Sequence, residues 1–323
     1  MKEKLLSGVK PTGRPHLGNY FGAMKQFVDL QDKFESYIFI ADLHAITTVK
    51  NPEELRENII NQYLDYLAIG LNPKKTLIFK QSDIPEVTEL AWYFSCITSV
   101  PYLMRAHAYK DAENKNKEIN AGVFNYPILM AADILLSNAN LVPVGKDQKQ
   151  HIEIARDIAN KFNQTYGETF IVPKELILED VETVPGTDGQ KMSKSYHNTI
   201  GLFAGDEEIK KAVMSIPTDS SAVSDSKNPD ESIIYQIHSL ILDNTGREKL
   251  RNRFINGGLG YKEAKENLIN DLIHFVKPFR DRRNILLKKK NKLIKQLEKN
   301  GVIMKKIINK KIEEVRNKVG IKI

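Results

Sequence analysis

The chain has 323 residues, 41% of them hydrophobic and 28% charged, with a formal net charge of +7. That length holds one large domain and a smaller one with a real core, and no apolar run reaches the length of a membrane span. The first apolar stretch is too short for a secretory signal, and Cys96 is the only cysteine, which excludes an internal disulfide; a cytoplasmic protein without a zinc site is expected.

In chain order, residues 7 to 22 form a loop punctuated by glycine and proline that runs into an amphipathic helix beginning near Gly18, with Leu17, Phe21, Met24 and Val28 on one face. Such a helix end points free N–H groups and the positive end of its dipole at an anion, and phosphate is the natural guest; an ordinary strand-to-helix turn has the same glycine pattern. Residues 37 to 41 read as a buried parallel strand. Asp42 and His44 follow at its carboxyl end, where open parallel sheets bind ligands, although a capping Asp and a packed His fit equally well. Asn51, Pro52 and Glu54 supply an N-cap, a first-turn proline and a capping-box acid for a helix buried along Leu55, Ile59, Tyr63 and Leu67 and ended by Gly70.

A second strand spans 76 to 79, and 84 to 108 is mostly helical with a break at Pro101. Residues 110 to 120 are charged and read as a mobile loop. On the helix from Tyr126 to Ser137, Tyr126, Met130 and Asp133 share one face. The neighbours of Asp133 on that helix are Leu129, Met130, Leu136 and Ser137, so no local cation pairs with it. Its carboxylate needs a distant donor, a water-filled cleft or a ligand. Residues 141 to 144 form another strand, and the turn from Gly145 to Gln148, with Asp147 as an N-cap, opens a helix carrying Ile152, Ala155, Ile158 and Phe162. Strands alternating with helices argue a doubly wound α/β sheet.

Gly186 to Ser195 has pliant glycines and one apolar side chain, Met192, with little to bury, and is expected to be mobile. Lys191 and Lys194 are point charges and Ser193 and Ser195 hydroxyl donors, the inventory for a polyphosphate. Helices follow at 206 to 214, at 231 to 242 and at 261 to 276, the last ended by Pro278. From Lys277 to Ile323 there are 17 Lys and Arg against 4 Asp and Glu, net +13, so the rest of the chain is net −6. A polyanion docking on that end and a solvated lysine-rich face are both open from composition.

His16-Leu17-Gly18-Asn19 looks like the HIGH element, and Lys191-Met192-Ser193-Lys194-Ser195 is the KMSKS element, of class I aminoacyl-tRNA synthetases, in that family's order and separation. More narrowly, residues 18–20, 42–47, 126–135 and 142–151 are similar to tryptophanyl-tRNA synthetases. The resemblance implies a Rossmann-like catalytic domain over 1–203, with a helical insertion around 82–125 that contributes to a homodimer interface, and a helical anticodon-binding domain over 204–323. It implies L-tryptophan, ATP with Mg2+, and tRNA(Trp) as substrates and partners.

Carried over residue by residue, the resemblance places ATP against Lys10, Pro11, Thr12, Gly18, Asn19, Gly145, Lys146, Asp147, Lys191, Met192, Ser193, Lys194 and Ser195, with His16, Asn19, Lys191 and Lys194 as catalytic groups. Asp133 accepts the indole N–H, Tyr126 and Gln148 hold the ammonium group, Met130 lines the ring pocket and His44 joins them. Lys10 stands where the family often has Gln, His16 where it often has Thr, and residues 179–186 lack its usual Met-Ser-Leu. Rival readings are a tyrosyl-tRNA synthetase, a non-catalytic RNA-binding relative, and a nucleotidyltransferase with an HxGH-like loop.

Overall fold

Five short strands carry the architecture in this computed structural model, which describes residues 2–106, 109–110, 113, 119–145, 149–177 and 184–323. They are β1 (Lys4–Val9), β2 (Glu35–Ile40), β3 (Thr76–Lys80), β4 (Leu141–Val144) and β5 (Lys174–Ile177). All pair in parallel, in the order β3-β2-β1-β4-β5. The order reverses between β1 and β4, and doubly wound sheets open a ligand crevice at that point, beyond the carboxyl ends of the strands. The expected fold class is therefore the one found. β2, β3 and β4 lie where the apolar runs put them. β1 corrects the first loop, since residues 7 to 9 are still strand and the turn begins only at Lys10. The edge strand β5 contains Lys174 and Glu175, and its pattern does not announce it.

After β1, α1 (Leu17–Asn19) passes through a π-helical turn (Tyr20–Met24) into α2 (Lys25–Leu30). The buried face is Leu17, Tyr20, Met24, Phe27 and Leu30, with Phe21 and Val28 at its margin. α3 (Asp42–Ala45) follows β2, and Asn51 caps α4 (Pro52–Ala68) by accepting from the Glu53 and Glu54 N–H groups. The next helical stretch is α5 (Glu86–Ile97) and α6 (Val100–Leu103). Its break is at Thr98, whose backbone is extended. Pro101 instead sits in the first turn of α6, where its missing N–H costs nothing. Most of the expected loop over 110–120 lies outside the described residues. α7 (Ala121–Leu136) and α8 (Lys149–Tyr166) complete the half that precedes β5.

Beyond the signature loop come α9 (Asp206–Met214), α10 (Ile233–Ser239), α11 (Asn244–Ile255), α12 (Tyr261–Leu287) and α13 (Lys290–Lys318). Two hydrophobic clusters result. One joins α1, α2 and α4 to α9 through α12; the other joins α5, α7 and α8 to α13. α12 runs through Pro278, contrary to the expected stop. On either side of the proline, Phe275 and Phe279 pack on Tyr20 with ring centroids 5.8 and 5.2 Å away. One turn on, the buried Arg283 bonds the equally buried Asp65 of α4 at 2.5 Å and Asn61 at 2.7 Å. Tertiary packing of this kind outweighs the local cost of a mid-helix proline. α13 then returns across the sheet edge, where Asn300 Nδ2 donates to the Ile78 carbonyl of β3 at 2.7 Å. Among the described residues no helix is long and apolar enough to cross a membrane.

Candidate active site

A cleft of about 940 Å³ opens at the carboxyl ends of β1 and β4. Of the residues expected in the site, Lys10, Thr12, His16, Gly18, Asn19, His44, Tyr126, Met130, Asp133, Gly145, Lys191, Met192 and Ser193 line it. Pro11 is buried outside the lining, and Ser195 is exposed to solvent outside it. Lys194 also stands outside the lining, but its Nζ donates to the Thr12 carbonyl at 3.0 Å and so ties the two loops together. Lys146, Asp147 and Gln148 lie outside the described residues, as does the stretch from 178 to 183.

At one end of the cleft the first loop is clamped to the segment after the signature loop. Leu17 N–H donates to the Ile200 carbonyl and Leu202 N–H to the Pro15 carbonyl, both at 3.0 Å. His16 is buried, and desolvation, aided by the charge of Lys194, lowers its pKa to about 4. The imidazole is therefore neutral near pH 7. Its Nδ1 has no hydrogen-bond partner among the described residues. Gly18 has no room for a side chain: a Cβ would come within 2.9 Å of the His16 ring and 3.3 Å of the Met192 Cβ. Its N–H meets the Met192 sulfur at 3.3 Å.

That contact corrects the expectation of a loop with nothing to bury. Met192 is 4% exposed and seats the signature loop on the start of α1. Asn198, which the sequence reading did not single out, holds the loop from behind. It is 2% exposed, its amide donates to Asp188 at 2.7 Å and to the Lys191 carbonyl at 3.2 Å, and its oxygen accepts from Ser193 N–H at 2.8 Å. A Cβ on Gly186 would overlap that amide at 2.1 Å. The loop's backbone is therefore set while its lysines stay exposed. Desolvation lowers the pKa of Lys10 and of Lys194, in the latter against the pull of Asp65. The Lys10 ammonium lies over the Tyr126 ring, 5.2 Å from its centroid.

At the other end sits Asp133, and of the three ways to satisfy it left open by the sequence, a distant donor is the one found. The carboxylate has protein partners: His44 Nε2 lies 3.0 Å from Oδ2, and Gln81 Nε2 donates to Oδ1 at 3.0 Å and to Oδ2 at 2.8 Å. Burial raises the pKa of Asp133, and the His44 and Gln81 hydrogen bonds oppose the shift. Of the two candidates after β2, His44 lines the cleft, whereas Asp42 is taken up by the Ser82 and Leu43 N–H groups at 2.9 and 3.1 Å. Tyr126 Oη is 2.6 Å from His151 Nε2, a contact across 25 residues that helix periodicity does not reveal.

With this geometry in place, comparison with known proteins is informative. The family model described as tRNA synthetases class I (W and Y) matches residues 2–277. The tryptophan–tRNA ligase of Fusobacterium nucleatum is 48% identical over 315 residues, covering 97% of this chain and 93% of its own. That of Campylobacter jejuni is 43% identical over 319 residues, covering 98% and 100%. Among solved structures, the Campylobacter jejuni tryptophanyl-tRNA synthetase complexed with ADP and tryptophan superposes with a TM-score of 0.90 at 43% identity, covering 98% of this chain and 99% of that one. The Mycoplasma pneumoniae tryptophanyl-tRNA synthetase gives 0.83 at 25% identity, covering 99% and 98%.

Proposed function

Since the chain belongs to the class I tRNA synthetases, among the tryptophan–tRNA ligases, we propose that its cleft holds ATP between the first loop and the signature loop, with tryptophan between α7 and the end of β2. The enzyme activates tryptophan with ATP and passes the aminoacyl group to its tRNA, releasing pyrophosphate and AMP. The observation that carries the residue assignment is the meeting, in one cleft, of a cationic loop pair at one end and the buried Asp133 at the other.

The carboxylate of tryptophan is ionised at neutral pH, so its attack on the α-phosphorus needs placement rather than a base. On this reading Lys191 and Lys194 neutralise charge as pyrophosphate departs, and neutral His16, Asn19 and the start of α1 hold the phosphates by hydrogen bonds without adding a buried charge. Pro11, Thr12, Gly18, Gly145 and the segment Lys146–Asp147 hold the rest of the nucleotide, and Tyr126 and Gln148 hold the ammonium group. Cations and hydroxyls dominate the phosphate end, and no described cluster of three or more His, Cys, Asp or Glu is placed to cage a metal. A magnesium ion would come in on the ATP phosphates, whose oxygens would be its ligands, and would supply charge neutralisation there.

We extend the reading to the assembly. Residues 1–203 act as the catalytic domain and 204–323 as the anticodon-binding domain of a cytoplasmic homodimer. The dimer reading draws support from α5 and α6 and the residue that follows, where Trp92 is 68% exposed and Val100 and Met104 are exposed as well. Amino-acid-dependent exchange of pyrophosphate into ATP, screened over the standard amino acids, tests the activity: tryptophan alone should drive it, and exchange driven by tyrosine would overturn the specificity.

The tRNA end makes its own prediction. Lys288, Lys289, Lys290, Lys292 and Lys295 are all exposed. Neutralising them should weaken tRNA binding and flatten its salt dependence by about 0.7 to 0.9 in log–log slope per lost phosphate contact, with tryptophan activation unchanged. Binding isotherms at several salt concentrations decide it, and an unaltered slope would assign these lysines to a solvated face.

A further inference from the structure

Gln81 belongs to no element of the sequence reading, yet it is 1% exposed, at the carboxyl end of β3, and makes the largest set of side-chain contacts around Asp133. Its Oε1 accepts from the Leu43 and His44 backbone N–H groups at 3.1 and 3.3 Å. Backbone N–H groups only donate, so they fix which end of the carboxamide faces them, and the NH2 group is left pointing at Asp133. It donates to both carboxylate oxygens. The ionised form, which only accepts, satisfies both of these bonds.

An ionised carboxylate has about four acceptor positions. Gln81 fills one on each oxygen and His44 a second on Oδ2, so the open one is on Oδ1. We propose that Gln81 is a specificity-determining positioning residue: it holds Asp133 as an ionised acceptor with only Oδ1 free, and thereby lets the site take an aromatic ring bearing an N–H donor and refuse a ring without one. The proposal rests on the reading that Asp133 meets the ring of the amino acid. Gln81 itself touches no substrate.

The test uses L-tryptophan and 3-benzothienyl-L-alanine, in which sulfur replaces the ring N–H at nearly constant shape. Gln81→Met removes the donor that aims Asp133 and brings in no carboxyl that could share a proton with it. The ratio of kcat/KM for the two amino acids in pyrophosphate exchange should fall about tenfold or more, mostly through loss on tryptophan, the scale of a hydrogen bond to a charged group. KM for ATP should not move. An unchanged ratio, or equal loss on both amino acids, would overturn the proposal and leave Gln81 as a brace for α3. If wild type itself does not prefer tryptophan to the sulfur analogue, the reading of Asp133 fails and takes the proposal with it. Should that variant fail to fold, Gln81→Leu reports the same ratio.

Discussion

Asp133→Ala is expected to lower kcat/KM for tryptophan by about 2 to 4 kcal/mol, while the weak activation of phenylalanine changes far less. The argument is one of unmatched groups. With phenylalanine bound, the free lone pair on Oδ1 faces carbon, so wild type already bears that cost and the mutant removes it. With tryptophan bound, the mutant leaves the ring N–H without its acceptor in a buried place. The structure adds a loss common to both amino acids, because Gln81 and His44 each lose the acceptor they now share. The difference between the two amino acids therefore carries the information. Exchange kinetics of wild type and mutant with both measure it, and equal losses would mean that Asp133 holds the pocket together and does not read the ring.

Replacing Lys191 or Lys194 by alanine should lower kcat for activation by more than it raises KM for ATP, by about 2 to 4 kcal/mol, on the scale of other groups that stabilise developing charge. Both lysines are exposed on a loop whose backbone Met192 and Asn198 already hold, so truncating Lys191 leaves the loop's position intact, and truncating Lys194 gives up only its tie to the Thr12 carbonyl. What is lost is a charge aimed at the departing phosphates. Lys194 has further to go than Lys191, since its ammonium now rests on the Thr12 carbonyl and must exchange that partner for phosphate. A mutant with intact kcat and only weaker ATP binding would place the lysines in ground-state binding.

Much of the frame was legible because its signals are local. β2, β3 and β4 are apolar runs, and the cap at Asn51 is a four-residue pattern. The failures share a cause in contacts between distant segments. α12 continues through Pro278 because Tyr20, Phe21 and Asp65 hold it on both sides, and no window around the proline contains them. The partners of Asp133 cannot be named from its own helix because Gln81 and His44 lie 52 and 89 residues away. The π-helical turn at Tyr20–Met24 leaves no mark in composition. Likewise Met192 reads as one apolar residue in a polar loop until Gly18, 174 residues earlier, is brought beneath it.

The closure of the sheet edge by α13 bears on how the chain is made. β3 leaves the ribosome early, with one row of backbone groups and the apolar face beside it uncovered, the condition in which nascent strands pair with the wrong neighbour. Its cover is Asn300, 222 residues downstream, followed by Met304, Ile308, Ile312 and Val315, which fill the cluster shared with α5, α7 and α8. At translation rates of about 5 to 20 residues per second that interval lasts at least roughly ten seconds, long beside the microseconds of hydrophobic collapse. Cleft residues from Tyr126 to Ser193 are themselves added during that interval, so the catalytic half completes its site before its flank is covered.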